Sequence, residues 1–387
     1  MTAELSMARG QILPPPYHEP NYHRLKCDLL ASGVRSADLP DTVKRPHRIR
    51  SGACGGLDII FPDGTQVNAP VNETFALTSP YWLDATAGRT LLRMDGADHT
   101  VDVRLAVEPA YYRRELAPEL TPLRLVGQIC SDRLGIGLTN RCVIWNSKSD
   151  RCRFCSIGLN VRTGDESRDK GLEDIVAVVE AAVSDSILPA RHVLLGGGTP
   201  NLEDAGAEAV AAAATAIRER HPNISIYAMI APPDDISWID RLKDSGINEL
   251  GMNIELFSIE AAERFTPGKA KRLGRDRYLR ALSHSVEVFG PINTRSIVMV
   301  GLEPAAETIA GAKMLAEMGV MPILSPFRPL KGTDLEHHPR LSGDELWDLA
   351  LAAADAVAPS GIPLGPTCIP CQANTLTAGQ HDLYRYY

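Results

Sequence analysis

From about Leu134 onward the chain repeats one pattern: a short apolar run, a polar loop, then a longer segment whose apolar positions recur at helical spacing. Strands are expected at Gly135 to Leu138, His192 to Leu195, Ile224 to Ile230, Ile247 to Ile254, Asn293 to Val300 and Met321 to Leu324. Helices are expected at Leu172 to Val183, Asp204 to Arg218, Ile236 to Asp244, near Ile259, Asp276 to Val288, Ala305 to Met318 and Asp344 to Ala358. Strands that alternate with helices predict parallel pairing through right-handed crossovers, hence an α/β fold with a partial or full (β/α) barrel of TIM type. Before this stretch the pattern differs. A proline-rich arm (Pro14, Pro15, Pro16, Pro20) precedes short β-type runs such as Leu57 to Phe61 and Thr90 to Met94, which stop at Pro62-Asp63-Gly64 and Asp95-Gly96. Tyr111 to Leu120 reads as a helical connector. The expected organisation is therefore an N-terminal β-rich accessory domain (1–125), a barrel (126–360) and a C-terminal Cys-containing tail (361–387).

Composition narrows the function classes. A length of 387 residues with 44% hydrophobic and 23% charged positions fits a globular chain with a sizeable core, not a disordered one. A net charge of -8 disfavours nucleic acid and anionic membranes as partners. The first twenty residues hold no apolar stretch of signal-peptide length, and no later window offers about 18 uncharged apolar residues. The expectation is a soluble cytoplasmic protein.

Eight cysteines are too sparse for a secreted disulfide scaffold, but their spacing is informative. Cys142, Cys152 and Cys155 form a C-x9-C-x2-C cluster in the loop after the first barrel strand. Three thiolates suit zinc or an iron-sulfur cluster, and structural zinc would want a fourth ligand that this loop lacks. In a [4Fe-4S] cluster the missing ligand would leave one iron open to a small molecule. Three unrelated buried thiols, or zinc completed from a distance, are the plain alternatives. Cys27, Cys54 and Cys130 read as isolated, inert buried thiols.

This cluster, with Phe154 before its last cysteine, resembles that of the radical S-adenosylmethionine (SAM) superfamily, although the usual first gap is three residues rather than nine. Residues 65–371 also resemble a biotin-synthase-like subfamily associated with nitrilase-type gene clusters, through R-C-x-F-C, P-G-K-A (Pro267 to Ala270) and P-F-R-P-L (Pro326 to Leu330). The resemblance implies a radical SAM type barrel in which Cys142, Cys152 and Cys155 bind three irons of an oxygen-sensitive [4Fe-4S] cluster. S-adenosyl-L-methionine would chelate the fourth iron, and a flavodoxin or ferredoxin type reductant would supply the electron.

Barrel enzymes collect their chemistry at strand C-termini. Gly196, Gly197, Gly198 and Thr199 end the second strand; the resemblance puts them where the superfamily's G-G-E motif meets the methionine amino group, with Thr199 replacing the acidic residue. A plain strand-to-loop turn is the alternative. Asn253 and Glu255, at i and i+2 after the fourth strand, would share one face, with Glu255 placed to accept from ribose hydroxyls or, alternatively, to cap a helix or pair with Arg264. Gly301 lies in a run ending at Glu303 that resembles a degenerate form of the superfamily's adenine-contacting motif, although any buried parallel strand would show the same apolar run. Arg328 is a candidate clamp for SAM or a substrate carboxylate, against a surface ion pair. Tyr227, Met229 and Arg295 are cavity-lining candidates, and the basic run from Arg264 to Arg280 is a solvated helix face or an electrostatic lip.

Cys368 and Cys371, in a Pro/Gly-rich tail that could reach over the barrel mouth, suit an auxiliary iron-sulfur cluster, a structural metal clip or a dithiol. The function that results is an enzyme cleaving SAM reductively and abstracting hydrogen from a small-molecule substrate, for sulfur insertion, rearrangement or fragmentation. No protein acid or base need be visible, because the hydrogen-abstracting agent belongs to the cofactor. The rival is a non-catalytic barrel with a structural zinc or iron-sulfur site.

Overall fold

In the computed structural model, which describes residues 21–36, 39–46, 54–86, 88–116 and 121–377, the turn dipeptides of the N-terminal third sit where the chain reverses. After helix α1 (Tyr22–Ser32) come strands β1 (Arg35–Ser36), β2 (Leu57–Ile60), β3 (Gln66–Ala69), β4 (Tyr81–Thr86), β5 (Arg89–Met94) and β6 (Thr100–Leu105). They form one sheet in the order β1-β4-β5-β6-β2-β3. Gly64, at φ 88°, supplies the left-handed residue of the β2–β3 hairpin, and Asp63 accepts from the Thr65 amide at 2.9 Å to close it. The proline-rich arm lies outside the described residues.

The expected connector helix is not formed. Ala110–Arg113 make a single 3-10 turn, and β7 (Glu115–Leu116) pairs with β8 (Thr121–Pro122). A helix through this segment would carry Pro118 in its interior. Tyr111 is instead a buried anchor: the Asp185 carboxylate accepts from its amide at 2.7 Å, and its hydroxyl donates to the Gly127 carbonyl at 3.1 Å.

Short helix α2 (Leu123–Val126) leads to β9 (Gln128–Cys130) and then to six strands matching the six expected: β10 (Arg133–Thr139), β11 (His192–Gly197), β12 (Ser225–Met229), β13 (Glu249–Gly251), β14 (Thr294–Val300) and β15 (Met321–Pro326). Between them run α3 (Ile157–Arg162), α4 (Leu172–Val183), α5 (Ala207–Arg220), α6 (Trp238–Asp244), α7 (Ile259–Phe265), α8 (Pro267–Arg272), α9 (Gly274–Phe289) and α10 (Ala305–Glu317), and α11 (Gly343–Val357) follows the last strand. The sheet order is β15-β14-β13-β12-β11-β10-β9; β9 is antiparallel to β10 and the other pairs are parallel. Among the described residues β15 does not pair with β9, so the barrel is partial.

Strand alternation separates the two faces. Leu134 and Ile136 turn outward; a side chain on Gly127 would touch both of them together with Val178 of α4. Their partners in register, Val193 and Leu195, are fully buried, as are Ile226, Ala228 and Leu250 further along the sheet. Each such Val, Leu or Ile side chain contributes on the order of 1.5–3 kcal/mol by burial. The opposite face is inward and carries Arg133, His192, Tyr227, Glu249, Met229, Gly251 and Arg295, in mutual register across the sheet.

The tail runs along the open edge. The amides of Gly365 and Leu376 donate to the carbonyls of Pro322 and Leu324 of β15, both at 2.9 Å. The N-terminal region is fastened to the barrel by the Lys44–Asp58 ion pair, whose ammonium also donates to the Ile129 carbonyl, and by Lys26, which donates to the Gln372 carbonyl at 2.6 Å. Cys54 and Cys130, expected as separate thiols, form a disulfide that joins the two regions. The pairing could not be read from the chain, because 76 residues separate the two cysteines.

Candidate functional site

The cysteine loop begins where β10 ends, and its base is fixed by polar side chains. The Asn140 amide group donates to Glu166 at 3.0 Å and to the Ser167 carbonyl at 2.8 Å, and the Thr139 hydroxyl donates to Asp169 at 2.7 Å. The nine residues between Cys142 and Cys152 are not slack. The Trp145 indole donates to the Cys155 carbonyl at 3.3 Å, and its ring lies where any side chain on Gly158 would sit. Ile144 is buried, and the Gly268 amide donates to the Asp150 carbonyl at 2.8 Å. A Cβ at Gly268 would fall 2.4 Å from that carbonyl oxygen, so the P-G-K-A segment needs its glycine in order to pack on the loop.

The thiols of Cys142, Cys152 and Cys155 lie close enough to influence one another electrostatically, together with Glu255 and Lys269. Burial dominates: it pushes the Cys155 thiol up to about 12 and the Cys152 thiol well above its ordinary value, with Lys269 opposing in both cases. Phe154 is buried in the surrounding apolar core. Three soft donors gathered at a strand C-terminus suit an iron-sulfur cluster or zinc by the chemistry of the donor set.

The glycine run at the end of β11 seats this loop. The Gly198 amide donates to the Thr139 carbonyl at 2.7 Å, and the Val143 amide donates to the Thr199 carbonyl at 2.9 Å. A Cβ on Gly198 would lie 2.1 Å from the Arg141 carbonyl oxygen and 3.1 Å from Cys142 Cβ; Gly197, at φ 138°, would meet Thr139 O at 2.5 Å. Gly196 is the least constrained, 3.1 Å from Met229 O. Gly198→Ala is therefore expected to displace Cys142, costing about 1–3 kcal/mol of stability and lowering iron content after anaerobic reconstitution although all three thiols remain. Thermal melting and iron analysis check this.

The other sequence-selected residues divide. β13 ends at Gly251, so the i and i+2 alternation expected of Asn253 and Glu255 does not continue. Asn253 Oδ1 accepts from the Ile297 amide at 3.1 Å, replacing a strand bond. Glu255, at φ 63°, lies 2.8 Å from the Lys269 ammonium beside the cysteines. Burial opposes the Lys269 charge, but Glu255, Tyr278 and Cys152 outweigh it and raise its pKa well above the lysine norm. Gly301, at φ 102°, turns the chain out of β14; Glu303 then accepts from the Phe257 and Ser258 amides at 2.9 and 2.8 Å, capping α7.

Arg328 binds the N-terminal region. It is buried, donates to the Asn68 carbonyl at 2.8 Å and lies 3.5 Å from Glu73, which makes it a fastener for the N-terminal region rather than a surface ion pair or a clamp facing the barrel mouth. The basic run divides: Arg264, Lys271, Arg272 and Arg280 are exposed, as a solvated face would have them, while Arg275 and Arg277 are half-buried. Arg272, Arg275 and Arg277 donate to the carbonyls of Val143, Phe257, Leu202 and Pro232, tying together loops that follow four successive strands.

Tyr227, Met229 and Arg295 do share the inward face. Arg295 and Glu249 pair at 2.5 Å with both side chains buried, and the guanidinium stacks over Tyr227 at 5.0 Å. The Tyr227 hydroxyl fills the space in which a side chain at Gly251 would lie.

The second cysteine pair is not at the barrel mouth. Cys371 Sγ lies 3.2 Å and Cys368 Sγ 3.8 Å from His192 Nε2, and Cys368 Sγ is 3.7 Å from both Asp132 carboxylate oxygens. Asp132 precedes β10 and His192 opens β11, so this group sits at the strand N-termini, roughly 20 Å of strand length from the first cysteine loop. Cys368 and Cys371 are candidate metal ligands, and His192 and Asp132 are the donors that sequence reasoning missed. Neither occurs in a metal-binding spacing; only the fold brings them to the tail.

Residues 149–320 match the Radical SAM superfamily, a stretch that includes Cys152 and Cys155 and begins seven residues after Cys142. The chain is similar to a bacteriochlorophyllide c C-7(1)-hydroxylase of Chlorobaculum limnaeum, 29% identical over 133 residues, which are 34% of this chain and 33% of that protein. It is also similar to a lipoyl synthase of Ectopseudomonas mendocina, 28% identical over 161 residues, 41% of this chain and 43% of that protein. The chain thus spans less than half the length of these relatives. The crystal structure of methylornithine synthase aligns over 66% of this chain and 77% of that one, with 14% identity and a TM-score of 0.46. By its family match and its relatives, this chain carries a Radical SAM domain with homologues among the lipoyl synthases.

Proposed function

We propose that this protein is a cytoplasmic radical SAM enzyme that acts on a small organic molecule by sulfur insertion, rearrangement or fragmentation. The observation that carries the reading is one folded loop at the C-terminal end of β10 that holds all three cysteines, within and beside the family match: the Trp145 and Cys155 amides donate to the Cys142 and Cys152 carbonyls, both at 3.1 Å, and the Trp145 indole donates to the Cys155 carbonyl. Cys142, Cys152 and Cys155 would hold a [4Fe-4S] cluster and leave room for S-adenosylmethionine beside it; reduced by an external one-electron donor, that cluster would supply cleavage of the sulfonium bond and hydrogen abstraction.

The chain's own residues do the rest. Gly197 and Gly198 let the β11 terminus approach and hold Cys142; Trp145 and Gly268 fix the long gap; Glu255 and Lys269 place a half-buried charge pair beside the sulfurs. Tyr227, Met229 and Arg295 share the inward face of the sheet below the cysteine loop, the side from which a small substrate would be approached. Lys148 and Arg153 are exposed on the loop, where positive charge suits an acidic flavodoxin or ferredoxin surface. Residues 1–125 are an accessory domain in this reading, 126–360 the barrel and 361–387 a tail. No helix among the described residues is long and apolar enough to cross a membrane.

Anaerobic reconstitution with iron and sulfide, followed by reduction in the presence of S-adenosylmethionine, tests the reading. A broad visible absorption and release of 5'-deoxyadenosine are the expected result. A colourless protein holding zinc at the trio, without cleavage, would replace it with the non-catalytic alternative.

A further inference from the structure

Four donors from distant parts of the chain converge at the closed end of the barrel. Asp132 lies in the β9–β10 turn, His192 at the start of β11, and Cys368 and Cys371 in the tail; one ligand atom from each lies within 4.8 Å of the other three. Cys371 is bracketed by a 3-10 turn (Pro370–Asn374), and that turn is held by Gln372, whose amide group donates to the Pro366 carbonyl at 2.9 Å and whose oxygen accepts from the Thr377 hydroxyl at 3.1 Å. His192, Cys368 and Cys371 are all buried.

The separations match the edges of one tetrahedron. Zinc bonds of about 2.3 Å to sulfur and about 2.0–2.1 Å to nitrogen and oxygen put a sulfur about 3.5 Å from a nitrogen or oxygen, and a nitrogen about 3.3 Å from an oxygen. The sulfur-to-nitrogen distances here are 3.2 and 3.8 Å, sulfur to carboxylate oxygen runs from 3.7 to 3.9 Å, and His192 Nε2 lies 3.3 Å from Asp132 Oδ1. A multi-iron cluster binds its protein ligands through different irons and holds them farther apart than one ion's coordination shell. Two thiolates, a carboxylate and a divalent ion leave one negative charge, and the Arg133 guanidinium, on the adjoining residue, faces both sulfurs and Asp132.

We propose that Asp132, His192, Cys368 and Cys371 bind a single tetrahedral divalent metal of zinc type, which clips the tail onto the floor of the barrel. The clip has a structural consequence. The tail hydrogen-bonds to β15 through Gly365 and Leu376, while the metal would fix it to β10 and β11, so the ion bridges the gap that the sheet leaves open. It also steadies the N-terminal helix, because Lys26 donates to the Gln372 carbonyl. The inference stands whether or not the cysteine trio carries the cluster.

The test uses the full-length chain with Cys142, Cys152 and Cys155 all changed to Ala, purified anaerobically and reduced, and titrated with Zn2+ or Co2+ alone. About one metal per chain is expected, and cobalt should give the intense visible bands of a tetrahedral thiolate site. Cys371→Ser and His192→Ala should abolish those bands, and chelation should speed proteolysis within 361–377 at least tenfold. If the triple variant does not fold, elemental analysis of the wild-type chain after cluster reconstitution replaces it: one zinc per chain, lost in Cys371→Ser while the iron content holds, supports the site. Iron and inorganic sulfide that disappear with Cys371→Ser would overturn the proposal, as would absence of any bound metal.

Discussion

Cys152→Ala is expected to give a folded protein that holds no stable cluster and releases no 5'-deoxyadenosine above background. Cys152 is 8% exposed and lies in a loop held by the Trp145–Cys155 bond and by the Arg153 amide, which donates to the Phe265 carbonyl at 2.9 Å. Neither bond depends on the thiol, so the fold of the loop survives the substitution. What is lost is one of three ligands, in a position too enclosed for solvent to supply a replacement. Iron content, visible absorption and product release report on this together. An unchanged rate of SAM cleavage in the Ala variants of Cys142, Cys152 and Cys155 would remove the trio from the chemistry.

The second large effect concerns stability. Arg295→Met removes the partner of Glu249 where both side chains are buried, and leaving a buried charge unpaired costs roughly 3–5 kcal/mol. Burial raises the Glu249 pKa, with Arg295 and His192 pulling it down, so loss of Arg295 raises it further. A carboxyl whose folded pKa exceeds its unfolded value takes up protons on folding, and its penalty therefore grows as pH rises from the unfolded pKa to the folded one and is constant above it. The deficit of Arg295→Met should accordingly shrink on acidification, and Arg295→Met/Glu249→Gln should recover a large part of it at neutral pH. Chemical denaturation at several pH values measures both; additive losses in the double variant would show that the pair is not coupled.

The barrel was legible because its determinants are local. Leu172 to Val183 was bounded to the residue by its apolar spacing, and the other expected helices and strands came within a few residues except at β13, while the short helices α3 and α8 were not expected. There the apolar run to Ile254 predicted a longer strand, but Asn253 takes over a backbone bond and Glu255 turns left-handed, and neither event leaves a mark in hydrophobic pattern. The cysteine trio and the glycine run were visible for the same reason, each being contiguous in the chain. Arg328 was misread because its partners, Asn68 and Glu73, come from a region more than 250 residues earlier. Asp132 and His192 were missed likewise: 236 and 176 residues separate them from Cys368.

Tyr227, stacked on Arg295 and seated over Gly251, closes the lower half of the inward face, while the tail covers the side that the sheet leaves unpaired. Because Gly365 and Leu376 bond to β15, the tail serves as the wall's last stave, and a chain cut before Gly365 would leave the edge of that strand bare.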